Sequence, residues 1–573
     1  METTIGTPQE LSGSKIVWTM LQEEGVEYVF GVSGITNVPL LHALKQVPNL
    51  KFIHAAHEDT ATGMADGYCR ATGKLAVVVV HNVAGASNTI GNLHNAFNAG
   101  SRILVIAGQN DVPIEWSERY MDVDFRPMMS QVTKGCWVVT RGQDLPLAVN
   151  RAIKEAKTAP TGPVFLAIPT NIQAQTIRYF PLPPHGRRVA MAVNPEPGAL
   201  KTAAQFLASA KNPAIFAGRA VPDSEAVAEL VKLAETLAAP VYTCLETKLI
   251  FPTSHPLYSG RVNLGVDGLR KMAAAADVLL TIGSDLFLHT DCSDAPIVPA
   301  GTKVIQIDLE PHALARYCPT EVALLADPKS ALRALAAAVE GSVSTTERQA
   351  RWDRVTGSYR QKKASLAACL NKDWQAVPIG WGAAFREICA SLPQDAAVVE
   401  ELASFYGQFS KIAEFREPGS YFTVVDHLGW GLPATLGAAL GSPRKPVIGV
   451  LGDGTSLFAI QAFWTAARYQ IPAVMVILNN GGYGCMRGLF MGYGMATPPA
   501  MSPEDCASYD ISGLNFTKLA AEFGIEGRRV MEPTGIRSAI EEAIARNKPA
   551  VVEIMVSPDG GTALELYGVL TSW

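Results

Sequence analysis

The sequence predicts an α/β protein built from three doubly wound parallel-sheet domains. Short runs rich in Val and Ile alternate with longer amphipathic stretches, as buried parallel strands alternate with the helices that cross over them. The alternation recurs in three blocks, each about the size of one doubly wound domain. The chain is 573 residues long, 48% hydrophobic and 18% charged, a balance suited to several large buried cores and unlike that of a disordered chain.

In the first block, 27–32, 51–57, 75–82, 103–109 and 163–169 read as strands, with helices over 60–71 and 87–97. The second block holds strands at 213–218, 240–244, 278–282 and 303–309, and the third at 396–400, 447–451, 473–478 and 550–556. Phe180-Pro-Leu-Pro-Pro-His-Gly-Arg-Arg, whose prolines lack backbone donors, reads as an extended linker between the first two blocks. A polar stretch over 340–363 divides the second from the third, either as a joint or as a surface helix. These joints give domains at 10–178, 195–340 and 375–557, followed by a tail at 558–573 that Ser557-Pro-Asp-Gly-Gly releases. The tail carries Leu564, Leu566, Tyr567, Val569, Leu570 and Trp573, more apolar surface than a frayed end needs, and is expected to lie over a cleft or a subunit seam as a lid.

Composition narrows the function. A formal charge of -5 does not favour a polyanion, so nucleic acid is not an expected partner. The nine cysteines are scattered with no CxxC pair, the pattern of reduced thiols in a cytoplasmic compartment. The N-terminal stretch has no secretory pattern and no run of apolar residues is long enough to span a bilayer, so no membrane partner is expected.

The strongest chemical signal follows the apolar run Pro446-Val-Ile-Gly-Val-Leu, which ends in Gly452-Asp453-Gly454-Thr455-Ser456 and passes into a helix. Unpaired backbone donors and the helix dipole make such a turn an anion site, and its glycines admit a phosphate to the backbone. The next strand ends in Asn479-Asn480-Gly481-Gly482-Tyr483, so Asp453 and Asn480, 27 positions apart, stand at the carboxyl ends of strands joined by one crossover. A carboxylate, an amide oxygen and a backbone carbonyl are hard ligands that suit Mg2+ bridging to a diphosphate. Taken singly, Asp453 reads equally as an N-cap and Asn480 as a turn residue; the pair at this spacing favours metal and diphosphate.

This GDG-to-NN unit resembles the cofactor motif of the thiamine diphosphate-dependent decarboxylase and carboligase superfamily, and the three blocks match that family's pyrimidine-binding, central and diphosphate-binding domains. The resemblance implies Mg2+ on Asp453, Asn480 and the Gly482 carbonyl, diphosphate on Gly454, Thr455 and Ser456, and further cofactor contacts from Tyr483 and Ser404. In Asp426-His-Leu-Gly-Trp-Gly-Leu-Pro it places Leu428 as the wedge between the two cofactor rings and the Asp426 carbonyl on the exocyclic amine. His57-Glu58-Asp59, ahead of Ala65-Asp66-Gly67-Tyr68, supplies Glu58 as the acid that engages the aminopyrimidine and promotes formation of the ylid nucleophile, from which the family proceeds through an enamine. Similar enzymes assemble this site across a subunit boundary, which implies a homodimer or homotetramer.

Three histidines are candidates for proton transfer: His81 at the end of a buried strand, His427 beside the wedge, and His289 in Leu286-Phe-Leu-His-Thr. The branch most resembled is that of benzoylformate decarboxylases, through Asn95-Ala-Phe-Asn, Pro418-Gly-Ser-Tyr-Phe and Asn480-Gly-Gly-Tyr-Gly-Cys-Met-Arg. Where that branch places a serine against the substrate carboxylate, this chain has Ile35, leaving Thr36 or Asn37 to replace it, while Cys485, Met486 and Leu489 shape the pocket. The resemblance thus implies a decarboxylase of 2-oxo acids that also ligates aldehydes. The alternatives are an acetolactate synthase-like transferase or a 2-hydroxyacyl lyase, and a non-catalytic cofactor-binding regulator, against which Glu58 argues. Phe216-Ala-Gly-Arg-Ala and Ile282-Gly-Ser-Asp show only ordinary strand-end glycines, so FAD is not expected.

Overall fold

The computed structural model describes residues 7–112, 120–121, 123–181, 189, 193–262, 265–283, 294–372, 374–486, 507–558 and 560–571. The chain opens with β1 (Gln9–Ser12) and then builds a first sheet from β2 (Tyr28–Gly31), β3 (Lys51–His54), β4 (Ala76–His81), β5 (Ile103–Gln109), β6 (Cys136–Val138) and β7 (Val164–Pro169). All six pair in parallel, in the order β3-β2-β4-β5-β7-β6, and β8 (Thr176–Tyr179) returns antiparallel to β1. A second parallel sheet contains β9 (Pro213–Ala217), β10 (Val241–Thr243), β11 (Tyr258–Arg261), β12 (Val278–Ile282), β13 (Lys303–Asp308) and β14 (Val322–Leu325), in the order β11-β10-β9-β12-β13-β14. The third contains β15 (Ala397–Glu401), β16 (Tyr421–Thr423), β17 (Val447–Gly452), β18 (Ala473–Asn479), β19 (Glu526–Val530) and β20 (Ala550–Met555). Its order, β16-β15-β17-β18-β20-β19, repeats that of the first sheet.

Central strands form where the apolar run is continuous, because both faces of the sheet are covered. Val77, Val78, Val79 and Val80 of β4 are all fully buried. The third sheet uses its two faces differently. Val398, Val450, Val476 and Val552 join a core shared with the second domain, while Val399, Leu451, Met475 and Val551 join a core shared with the first. Alternate side chains of one strand point to opposite faces, so the third sheet lies between two continuous cores.

Two helices fasten the first and third domains. Helix Glu58–Thr72 starts at His57, whose ring accepts from the Asp59 N–H, and stops at Gly73 in the left-handed region. Helix Gly431–Gly441 is apolar on nearly every side and buried along its length, as expected for a helix without a solvent face. Gly63 lies against Pro433 and Gly441 against Thr72, so the helices run parallel with their N-terminal ends together. A Cβ on Gly67 would stand 2.2 Å from the Ala434 carbonyl oxygen, and one on Gly437 1.9 Å from that of Met64; only glycine permits this approach. Arg70 completes the joint. It pairs with buried Asp66 at 2.6 Å, lies over Trp430, and donates to the carbonyls of Thr423 and Thr247, one in each of the other two domains.

Of the polar stretch after the second sheet, 345–363 lies in one helix, Thr345–Leu370, and 340–344 is the turn before it. The tail is also a helix, Gly560–Thr571, and it is no loose end: Leu566 and Leu570 are buried in the core shared by the second and third domains. The ammonium of Lys411, 2% exposed as a residue, donates to the Leu570 carbonyl at 2.7 Å, where the helix dipole favours a cation. Leu570→Ala should cost about 2–5 kcal/mol, the usual range for a buried leucine, and lower the melting temperature of the whole chain. A melting curve identical to wild type would show that the helix is not held through this residue.

Candidate active site

β17 and β18 are neighbours, with Gly452 paired to Leu478, so the short helix Asp453–Leu457 and the turn after Asn479 emerge side by side. The Asp453 carboxylate accepts from the Gly454 N–H at 2.7 Å, the Gly481 N–H at 2.8 Å and the Asn480 N–H at 3.1 Å. One side of the Asn480 amide lies 3.1 and 3.2 Å from the two Asp453 oxygens and 2.7 Å from the Gly482 carbonyl. With the amide nitrogen on that side, it donates to all three oxygens. With the amide oxygen there, four oxygens converge, the donor set of a hard divalent cation. Burial pushes the Asp453 carboxyl up to about 6 against the pull of its backbone donors, and a cation would hold it ionised. These residues therefore fit Mg2+. The hydroxyls of Thr455 and Ser456 both donate to the Gly452 carbonyl, and that of Thr455 also reaches the Glu401 carbonyl of the neighbouring β15, so both hydroxyls are committed to the backbone.

Beside this turn is a cavity of about 180 Å3 whose described lining all lies between Trp381 and Met486. Ser404, Leu428, Thr455, Tyr483, Cys485 and Met486 border it with Asp453, Asn480 and Gly482. Burial raises the Cys485 thiol. Ser456 is fully buried and is not part of the wall. The loop carrying Leu428 is fixed by a residue that sequence reasoning passed over. The Glu401 carboxylate, 1% exposed, accepts from the Gly429 N–H at 2.7 Å, the Trp430 N–H at 3.2 Å and the Gly431 N–H at 2.7 Å. Burial pushes this carboxyl up to about 7 while those donors pull it down. The available signal was an acidic pair closing the apolar run Ala397-Val-Val-Glu-Glu, where burial would demand partners.

A second group of candidates stands at the carboxyl edge of the first sheet. Glu58 heads its helix, and its Oε2 accepts from the Asn88 side chain at 3.0 Å. The Thr36 hydroxyl lies 2.8 Å from His81 Nδ1, while Ile35 next to it is 81% exposed. Asn37 is fully buried with both ends of its amide engaged, on the Gly34 N–H and the Val32 carbonyl, so it closes the loop. Asp426 and His427 join the two groups. His427 lies 3.4 Å from Asp59, whose hydrogen bond lifts the imidazole above its ordinary range, and His94 lies 3.1 Å from Asp426. Glu58 and His81 are not among the described residues lining the Leu428 cavity of their own chain. His289 and Leu489 lie outside the described residues.

Comparison with known proteins agrees with this geometry. Three family models match in chain order: the thiamine pyrophosphate enzyme N-terminal TPP binding domain over residues 11–124, the central domain over 200–335 and the C-terminal TPP binding domain over 404–554. Benzoylformate decarboxylase of Pseudomonas aeruginosa is 31% identical over 540 residues, covering 94% of this chain and 97% of that protein. The acetolactate synthase large subunit of Haemophilus influenzae is 28% identical over 563 residues, covering 96% and 95%. Among solved structures, the thiamine diphosphate-dependent 4-hydroxybenzoylformate decarboxylase of Rhodococcus jostii RHA1 superposes with a TM-score of 0.82 at 28% identity, over 96% of this chain and 100% of that one. With its three parallel sheets and these matches along nearly its whole length, the chain belongs to the thiamine pyrophosphate enzyme family.

Proposed function

We propose that the protein is a Mg2+- and thiamine diphosphate-dependent decarboxylase of 2-oxo acids that also joins the acyl fragment to an aldehyde. The observation that carries this reading is the convergence of Asp453, Asn480 and the Gly482 carbonyl beside a cavity into which Leu428 projects. When bound, thiamine diphosphate supplies a nucleophilic carbon and an electron sink for the loss of carbon dioxide. Asp453, Asn480 and the Gly482 carbonyl hold the metal, and the turn at Gly454 and Thr455 offers backbone donors to the diphosphate. Leu428, Tyr483 and Ser404, which line the cavity, would contact the cofactor rings, and the Asp426 carbonyl would accept from the exocyclic amine.

In this reading Glu58 of the partner subunit exchanges a proton with a ring nitrogen, because Glu58 does not line the cavity of its own chain. His81, held by Thr36, and His427 would serve as the proton carriers. The working unit is a homodimer or a homotetramer in the cytoplasm. Its pyrimidine-binding, central and diphosphate-binding domains span 10–178, 195–340 and 375–557. The apolar wall of Trp381, Leu402 and Met486 excludes water and favours a 2-oxo acid with an apolar side chain. A second reading, acyloin synthesis or lysis, is favoured by Ile35, which offers a substrate carboxylate no donor from its side chain.

Incubation with thiamine diphosphate, Mg2+ and a panel of aromatic and aliphatic 2-oxo acids, with and without aldehydes, separates the two. The expected outcome is carbon dioxide matched by aldehyde, and by acyloin when an aldehyde is added. Acyloin cleavage with no carbon dioxide from any acid would assign a lyase instead.

A further inference from the structure

The segment Asp426-His427-Leu428 runs between β16 and helix Gly431–Gly441 and is itself in neither strand nor helix. Its backbone is held from the first domain by helix Ile90–Asn98. Asn95, fully buried, accepts from the Asp426 N–H at 3.1 Å and the His427 N–H at 3.0 Å. Its amide nitrogen donates to the His427 carbonyl at 2.8 Å and to Asn92 at 3.0 Å, so its whole hydrogen-bonding capacity is engaged. Around it, the Asn98 amide donates to Asp426 at 2.9 Å, His94 pairs with the same carboxylate, and His427 reaches Asp59, which the backbone and side chain of Asn92 hold at 2.9 and 2.8 Å. Gly91 makes the room, since a Cβ there would stand 2.2 Å from His427 Nε2. On the far side of Leu428, Glu401 holds residues 429–431. Leu428 is thus suspended between an asparagine of the first domain and a glutamate of the third.

We propose that Asn95 is a positioning residue: it fixes the segment that carries Leu428 into the cavity, so that each chain's first domain sets the shape of the cofactor berth in its own third domain. This rests on the reading of that cavity as the cofactor site. If Glu58 serves the neighbouring subunit, then Glu58 and Asp59, adjacent at the head of one helix, act on two different berths, Asp59 through His427 of its own chain. Without Asn95 two backbone donors and one carbonyl lose their partner, and the segment is free to take other conformations.

The test is Asn95→Ala in the full-length protein, read first by hydrogen exchange. Amides of 426–428 should exchange at least about tenfold faster than in wild type, while helix Gly431–Gly441 stays protected. With cofactor, turnover should fall about tenfold while the calorimetric affinity for Mg2+ and thiamine diphosphate changes by less than about threefold, because the diphosphate anchor is elsewhere. In a Leu428→Ala background the same substitution should change turnover by less than about twofold, since the two residues act through one wedge. Unchanged exchange at 426–428, or a loss of turnover equally large without Leu428, overturns the proposal. If Asn95→Ala does not fold, the His94→Ala, Asn98→Ala pair is read by the same exchange measurement; acceleration confined to 426–428 supports the proposal and none overturns it. If wild-type protein fails to bind the cofactor at all, the cofactor reading falls, and the exchange result still decides whether Asn95 holds the segment.

Discussion

Glu58→Gln should lower turnover at saturating cofactor by at least about a hundredfold, with the fold and cofactor affinity retained. The side chain stands at the head of its helix, where Asn88 holds one carboxylate oxygen, and glutamine preserves its size. What changes is the chemistry, since a carboxyl can hand a proton to a ring nitrogen and take it back, whereas an amide cannot. The measurements are steady-state turnover and exchange of the cofactor's thiazolium proton; wild-type exchange in the variant would remove Glu58 from the mechanism. Because the described lining of the Leu428 cavity comes from the third domain alone, the same variant also tests the shared site. Glu58→Gln subunits mixed with Asp453→Ala subunits should regain activity, as one of the two sites in each mixed dimer receives both intact residues. Verified mixed dimers without activity would place Glu58 and Asp453 at the same site within one chain.

Asp453→Ala should abolish Mg2+-dependent retention of thiamine diphosphate. The carboxylate is the only charged group proposed to hold the metal, and it also organises the turn by accepting from the N–H groups of 454, 480 and 481. Its loss removes the cation's strongest ligand and leaves the amide of Asn480 with only the Gly482 carbonyl among the oxygens it now faces. Calorimetric titration with cofactor and Mg2+ should show no saturable binding, while circular dichroism of the unliganded variant matches wild type. Wild-type affinity would move the diphosphate site elsewhere.

Much of this architecture was legible in the sequence, for a definite reason. The central strands β4, β5, β12, β17 and β18 are covered on both faces, which demands continuous apolar runs. The strands that pattern reading missed, β1, β6, β8, β11, β14, β16 and β19, all lie at sheet edges. There one neighbour is absent and the run breaks: β19 reads Glu-Gly-Arg-Arg-Val with only its last residue buried, and β14 alternates buried with exposed. The predicted helix over 87–97 corresponds to helix Ile90–Asn98, while residues 87 and 88 end a separate helix, Asn82–Asn88, that the pattern did not show. The apolar content of the tail was visible too, and Leu566 and Leu570 are buried in the core shared by the second and third domains.

The site divides in the same way. Asp453 and Asn480 are legible because one crossover separates them and the chemistry is local to two strand ends. The grip of Asn95 on Asp426 and His427 joins residues more than 330 positions apart, and no spacing rule reaches across that distance. Glu401 was hidden differently, as an acid whose partners are backbone N–H groups that every residue type carries.

The third sheet, covered by one core on each face, has a consequence for how the chain comes apart. Neither the first nor the second domain can leave without baring a full apolar face of the third, and Arg70 would lose carbonyl partners in both of the others. Three units of topology are therefore one unit of melting. Heating should give a single calorimetric transition, and a chain nicked between the first and second sheets should keep its pieces together until denaturant is added. A fragment expressed with the third sheet alone would present two sticky surfaces and precipitate, so the borders that divide this chain by ancestry are poor places to cut it.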